Sequence, residues 1–155
     1  MGFQIIALQQ EQFAPLFELD DEQLQAHGAL RMVADENSEF PCRVSLTDAK
    51  AGETVLLLNY EHMTMDTPYR SRHAIFVRRN GEQVQLQPNA IPQKFLERPV
   101  AVRAFDQSGM MVASDITKGP ELTAVIEKLL ELPNAEYLHL HWAGAGCYAA
   151  KVVRT

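Results

Sequence analysis

The chain has 155 residues, enough for one domain with a single buried core. Hydrophobic residues make up 46% and charged residues 22%, a balance typical of soluble globular proteins and not of disordered ones. Fourteen Lys and Arg against twenty Asp and Glu give a net charge of −6, which argues against a general nucleic-acid-binding protein, because such proteins neutralise phosphates with cations.

Targeting signals and cysteine content indicate the cellular compartment of a protein. No stretch approaches the ~20 apolar residues that a membrane-spanning helix needs, so no membrane association is expected. The opening residues MGFQIIALQQ lack the basic start and the long apolar run of a secretory signal. Two cysteines, Cys42 and Cys147, are too few for a disulfide-stapled secreted scaffold. We therefore expect a cytoplasmic protein that folds as one globular domain over residues 1–155, with both thiols free.

Two segments have the pattern of helices. The stretch DDEQLQAHG predicts a short helix near residues 20–27, because Asp20 can cap its start and Gln23 completes a capping box. Gly28 can end this helix. A long helix is predicted near residues 120–131, where a proline suits the first turn and apolar residues recur at helical spacing. That apolar stripe comprises Leu122, Val125, Ile126, Leu129 and Leu130.

Strand patterns occupy most of the remaining chain. Apolar and β-branched residues predict strands in FQIIAL, ALRMVADE, ETVLLLNY and HAIFVRR. The turn DQSG joins VAVRAF to MMVASD as a hairpin, and AGAG joins EYLHLHW to CYAAKVV as another. Many strands with one long helix late in the chain indicate an α+β fold with a mostly antiparallel sheet. The glycine-rich nucleotide-binding motifs and the nucleophile elbow do not occur in the sequence.

The last predicted hairpin, residues 139–147, carries the first candidate site. Side chains alternate along YLHLHW, so His139 and His141 point together toward water or a cleft. The opposite face, toward the core, then holds Leu138, Leu140 and Trp142. Two imidazoles so placed can bind a metal ion if Cys147 or His62 supplies a third ligand. The sequence favours a wet sheet face with no metal and no other cofactor, because the usual Cys and His spacings of zinc sites are missing.

The second candidate is EHMTMDTPYRSRH, residues 61–73, which is predicted as a long loop between two strands. Long ordered loops are often functional, and this one is rich in arginine within an acidic protein. Guanidinium groups match the geometry of carboxylates and phosphates, so a small anionic molecule is the expected ligand. The residues expected to bind it are Arg43, His62, Tyr69, Arg70 and Arg72. The alternative is a solvated loop whose arginines balance nearby acidic residues.

Cysteine chemistry is the third candidate. In EFPCRVSLTDA, Cys42 precedes Arg43, and a neighbouring cation favours the reactive thiolate. A nucleophile also needs a base, so the hypothesis takes Cys42 or Cys147 with His73 or His141. The alternative is that both cysteines are small buried hydrophobic residues. In a strand, Arg43 would also point to the face opposite Cys42.

Four long phrases of the chain form a recognisable pattern: FPCRVSLTDAKAGETVLLLNYEH, TPYRSRHAIFVRR, RAFDQSGMMV and LHLHWAGAGCYAA. They resemble a family of small bacterial proteins catalogued as domain of unknown function 1203, from about Asp20 to the C-terminus. The resemblance implies a bacterial, stand-alone, cytoplasmic protein of about this length, and it implies no activity. It also suggests that Pro41–Cys42–Arg43, the His62-to-His73 loop and the His141-to-Cys147 turn belong to one family pattern.

Together these features predict a protein that binds a small anionic molecule. The predicted cleft is formed by the 61–73 loop, the Pro41–Cys42–Arg43 segment and the 139–147 hairpin, and thiol-based catalysis is an extension of this hypothesis. Whether the protein is an enzyme stays open. The alternatives are a non-catalytic interaction module or homodimer, and a His/Cys metal site. Neither nucleic acid nor a membrane is an expected partner.

Overall fold

The computed structural model describes residues 2–37 and 39–155. Within these ranges the chain forms two compact units. The first contains the N-terminal segment up to Ile6, Glu61–Arg72 and Gln85–Thr155, and the second contains Ala7–Tyr60 and His73–Val84. Helices are few and the sheets are antiparallel, so the predicted α+β class is confirmed. The single domain expected over residues 1–155 stays a prediction beside this division.

Eight strands and three α-helices lie in the described ranges. The strands are β1 Phe3–Ile6, β2 Ala29–Val33, β3 Thr54–Met63, β4 Ser71–Arg78, β5 Val100–Phe105, β6 Met111–Thr117, β7 Tyr137–Trp142 and β8 Tyr148–Arg154. The helices are α1 Asp21–Ala26, α2 Gln93–Glu97 and α3 Glu121–Leu130, and two 3₁₀ helices span Gln10–Gln12 and Ala14–Glu18. None of the helices described is long and apolar enough to cross a membrane.

The first unit is built on a five-stranded sheet in the order β1-β8-β7-β5-β6. Helix α3 packs on one face of this sheet, against β5, β6 and β7. The apolar stripe predicted for this helix is the reason, since Leu122, Ile126, Leu129 and Leu130 are all buried. Val102 and Leu140, which pair across β5 and β7, are fully buried as well. The other face of the same strands carries the histidines of β7.

The second unit holds most of the three-stranded sheet β2-β3-β4. Helix α1 precedes it and starts with the predicted capping box, in which the Gln23 backbone N–H donates to the Asp20 carboxylate and the Gln23 side chain accepts from the Asp20 N–H. Gly28 follows the helix with φ +68°, the left-handed conformation that glycine adopts most readily. The main apolar core of the second unit comprises Phe13, Phe17, Leu24, Ala29, Cys42, Val44, Leu56, Leu58, Ile75 and Val77.

The predicted loop over residues 61–73 is wrong in its extent. Strand β3 continues to Met63 and β4 begins at Ser71, so only residues 64–70 connect them. The strand ends are polar, and the apolar pattern that marks a strand in sequence therefore stops too early. An ion pair from Arg72 to Glu61, with a nitrogen–oxygen distance of 2.9 Å, joins these two ends. Helix α2 and the two 3₁₀ helices were not predicted either.

Candidate metal centre

The two histidines of β7 lie in the interior of the first unit. His139 is 4% exposed and His141 is 0% exposed. The prediction that they point toward water is therefore wrong, although the alternation that puts them on one face is right. The reason is that aromatic rings cover this face: the ring of Tyr148 lies 5.0 Å from that of His139 and 5.8 Å from that of His141. A buried histidine needs an explanation, whereas a histidine exposed to water does not.

A third histidine completes the cluster. His62, near the end of β3, has its ring centroid 5.0 Å from His141 and 5.8 Å from His139. It stacks on Tyr148 with an interplanar angle of 9°, which fixes the plane of its ring. One ring nitrogen from each of the three histidines lies within 4.8 Å of the other two. All three residues belong to the first unit.

Hydrogen bonds set the orientation of two of these rings. Nδ1 of His141 lies 2.9 Å from the carbonyl oxygen of Gly146, so a proton on Nδ1 donates to that oxygen and the lone pair is on Nε2. The hydroxyl of Ser71 lies 3.3 Å from Nε2 of His62. Nδ1 of His139 is buried without a hydrogen-bond partner. Leaving a buried polar atom without a partner costs about 1–3 kcal/mol, so the burial of this nitrogen needs an explanation.

Burial keeps the imidazoles of β7 neutral. Desolvation, together with the positive charges that His62, Lys151 and Arg103 can carry, lowers the pKa of His139 to about 3. Desolvation likewise lowers the pKa of His141 to about 3, against the hydrogen bond to Gly146, which raises it. A neutral imidazole offers the lone pair that a metal ion requires. No proton has to leave either ring before a metal binds at neutral pH.

The donor set is that of a transition-metal site. Three imidazole nitrogens suit zinc and its neighbours, and an ideal tetrahedral site places its nitrogens about 3.3 Å apart. The nitrogens here lie within 4.8 Å of one another, so a tetrahedral ion would draw them closer by up to about 1.5 Å. Of the two third ligands considered from the sequence, His62 belongs to this cluster and Cys147 does not. Cys147 is half-buried in the turn after β7, where its carbonyl oxygen accepts from the Trp142 N–H.

Arg70 in the β3–β4 connection and Arg72 on β4 both contact one carboxylate. Nε of Arg70 lies 3.0 Å from Glu61 and the guanidinium of Arg72 lies 2.9 Å from the same side chain. Both arginines are about half exposed. Tyr69 packs edge-on against Phe105, with ring centroids 6.2 Å apart. These ion pairs agree with the solvated alternative, and anion binding by Tyr69, Arg70 and Arg72 stays a prediction.

The remaining predicted site residues lie in the second unit. Cys42 is 1% exposed, and its sulfur accepts the backbone N–H of Arg78 at 3.3 Å. Arg43 is 2% exposed, and its guanidinium donates to the carbonyl oxygen of Pro41. His73 is half-buried on β4. Catalysis by Cys42 and His73 and substrate binding by Arg43 stay predictions.

Sequence reasoning missed two residues that border the histidines. Arg103 on β5 pairs directly with His139 on β7, and Ser71 contacts His62. Neither has a local motif. Arg103 sits in an apolar strand, and only the pairing register of β5 with β7 shows which histidine it neighbours. Because these residues are separated in sequence, a single sequence does not show that they are neighbours.

Comparison with known proteins gives a family without an activity. No curated protein and no solved structure matches the chain. One family model matches residues 39–154, a range that includes all three histidines and Arg103 and begins later than the predicted start near Asp20. That range is most of the chain, and the resemblance inferred from the sequence is confirmed. The chain belongs to the family described as Protein of unknown function (DUF1203).

Proposed function

We propose that the protein binds one divalent transition-metal ion of the zinc type through His62, His139 and His141. The single observation that carries this proposal is the meeting of three imidazole nitrogens within 4.8 Å, two of them from almost fully buried side chains. A buried histidine with only a structural role usually has a hydrogen-bond partner for each ring nitrogen. His139 differs, because its Nδ1 has none.

The surroundings of the cluster support a metal site. Metal-binding histidines usually donate their second ring nitrogen to a carbonyl, a carboxylate or a water molecule, which fixes the tautomer. His141 has this partner in the carbonyl oxygen of Gly146, at 2.9 Å. His62 has a hydroxyl, that of Ser71, beside one of its ring nitrogens. The glycine turn that follows β7 therefore has a role in the proposal, since it aims a carbonyl at the ring of His141.

Three protein ligands leave a fourth position for water or a substrate. Structural zinc sites are usually closed by four side chains, often with cysteine among them, whereas catalytic sites keep one position open. A metal ion with an open position polarises a bound oxygen and lowers the pKa of bound water. The donor set therefore favours a metal-dependent enzyme acting on a small molecule, and the anionic ligand expected from the sequence suits an open metal position.

Two other functions stay as alternatives. Thiol-based catalysis would use a nucleophile at Cys42 or Cys147, and the burial of Cys42 does not favour it. A non-catalytic interaction module or homodimer would use an exposed sheet edge, and Ile116 on the edge strand β6 is 64% exposed. Neither alternative accounts for three histidines gathered around one point.

Calorimetric titration with zinc chloride tests the proposal on protein stripped with a chelator. We expect one zinc ion per chain. His139→Leu should weaken binding by roughly 100-fold or more, and Ser71→Ala by about 10-fold, since outer partners usually contribute 10- to 100-fold. His27→Gln is the matched control, because it removes an exposed histidine of the second unit. Zinc binding that is absent, or equally tight in His139→Leu, would refute the proposal.

A further inference from the structure

A groove lies on the histidine face of the five-stranded sheet. Its volume is about 580 Å³, and its lining residues are Ala101, Arg103, Met111, Ser114, Asp115 and Ile116. Ala101 pairs directly with His141, and Arg103 pairs directly with His139. Directly opposite residues of an antiparallel pair project to the same face with Cβ atoms about 4.5–5.5 Å apart. The groove therefore borders the histidine cluster along the β5–β7 pairing.

Arg103 is the unexplained charge of this groove. Its side chain is partly buried. Among the residues that the structure describes, none forms an ion pair or a hydrogen bond with it. Asp115 also lines the groove, but its carboxylate is held by Lys128, with the nitrogen 3.2 Å away. A partly desolvated cation without a counter-charge is unfavourable by itself, which points to a missing anion.

Positively charged residues flank His139 on both neighbouring strands. Arg103 is its neighbour on β5, and Lys151 is its neighbour on β8. The ammonium of Lys151 lies over the ring of Tyr137, 4.7 Å from its centroid. A divalent metal ion bound at the histidines adds two more positive charges to this face. An anion that touches both the metal and Arg103 would offset part of this positive charge.

We infer that the groove binds a small organic oxyanion, a carboxylate or a phosphate monoester, with one oxygen on the histidine-bound metal and another on Arg103. The inference rests on the proposed metal site and names the ligand class for its open position. The volume falls within the range of small-molecule sites, about 300–1,000 Å³. Met111 and Ile116 provide an apolar wall for the carbon part of the ligand.

This anion site differs from the one predicted from the sequence, which used Arg70 and Arg72. Arg70 and Arg72 each form an ion pair with the carboxylate of Glu61. Arg103 has no such partner in the described ranges and stands beside a candidate metal ligand. A planar guanidinium donates two parallel hydrogen bonds to a carboxylate or a phosphate, which a lysine cannot reproduce.

The test uses zinc-loaded protein and two probes, phenyl phosphate and benzoate, each titrated by calorimetry. The two arms separate phosphate from carboxylate recognition, and both probes carry an apolar ring for the groove. We expect at least one probe to bind once per chain to the zinc-loaded form and at least 10-fold more weakly to the zinc-free form. Arg103→Met should weaken that binding at least 10-fold while zinc stoichiometry is retained. Arg103→Lys should give a smaller loss.

Lys50→Met is the matched control, since it removes an exposed cation of the second unit that does not line the groove, and it should leave probe binding unchanged. The inference is overturned if zinc binds normally but neither probe does, or if Arg103→Met and wild type bind the probe equally. Absence of zinc binding overturns the metal proposal as well, so the two failures are distinguishable. If Arg103→Met does not fold, Arg103→Lys decides alone: unchanged probe affinity overturns the inference.

Discussion

Acid should destabilise the metal-free protein through two buried histidines. Burial lowers the pKa of His139 and of His141 to about 3, from an ordinary value of 6.5. Between these values the unfolded chain binds protons that the folded protein does not, so the free energy of unfolding falls as pH falls from about 6.5 toward 3. The stability contributed by the neutral rings is fully present only above pH 6.5.

The magnitude follows from the two pKa values of each histidine. Between pH 7 and pH 5, one such group lowers the free energy of unfolding by about 2 kcal/mol, at about 1.4 kcal/mol for each full pH unit. Both groups together amount to about 4 kcal/mol. A domain is stable by only about 5–15 kcal/mol, so the loss is large enough to measure by urea unfolding.

His139→Leu separates this effect from other acid-sensitive groups. The variant should lose about 2 kcal/mol less than wild type between pH 7 and pH 5. At pH 7 without metal it should be as stable as wild type or more so, because leucine removes a buried nitrogen that has no partner. Urea midpoints measured in chelator at both pH values give the comparison, with His27→Gln as the control. Identical pH dependence in wild type and His139→Leu would refute the assignment of a buried neutral imidazole.

Three further predictions follow from the second unit and the two thiols. Asp20→Ala removes the capping box of α1 and should lower the free energy of unfolding by about 1 kcal/mol in urea denaturation; no change would contradict the cap. Glu53→Gln breaks a two-bond pair with Arg78 and should destabilise by about 1.5 kcal/mol at pH 7. The hydrogen bond from Arg78 lowers the pKa of Glu53, so this contribution is present above pH 4.5 and lost as acid protonates the folded carboxylate; a difference between the proteins that does not shrink as the pH falls below 4.5 would contradict it. Alkylation followed by peptide mass should modify half-buried Cys147 at least about 10-fold faster than Cys42, which reacts only after opening of the core, and the reverse order would contradict the burial.

Much of the fold could be predicted from short-range sequence patterns. The capping residues at Asp20 and Gln23 and the apolar stripe of α3 are short-range patterns, and the structure has both helices where these patterns predict them. The hairpins around DQSG and AGAG are local as well. The strand ends near Glu61 and Arg72 were missed because they are held by cross-strand charge pairs, which apolar periodicity does not register.

The candidate site depended on contacts between distant residues. Alternation along β7 put His139 and His141 on one face, but it could not show whether that face is wet or buried. Burial comes from the ring of Tyr148 and from His62, which approaches from another part of the chain. The same limit applies to Arg103, whose place beside His139 is a matter of strand register alone.

X-ray absorption at the zinc edge of the zinc-loaded protein tests the central claim most directly. The account predicts a first shell of nitrogen and oxygen at about 2.0–2.1 Å, with imidazole scattering from three histidines. His139→Leu should lose this signature and His27→Gln should keep it. A sulfur scatterer near 2.3 Å would bring a cysteine into the site and contradict the three-histidine assignment, as would a shell with no imidazole contribution.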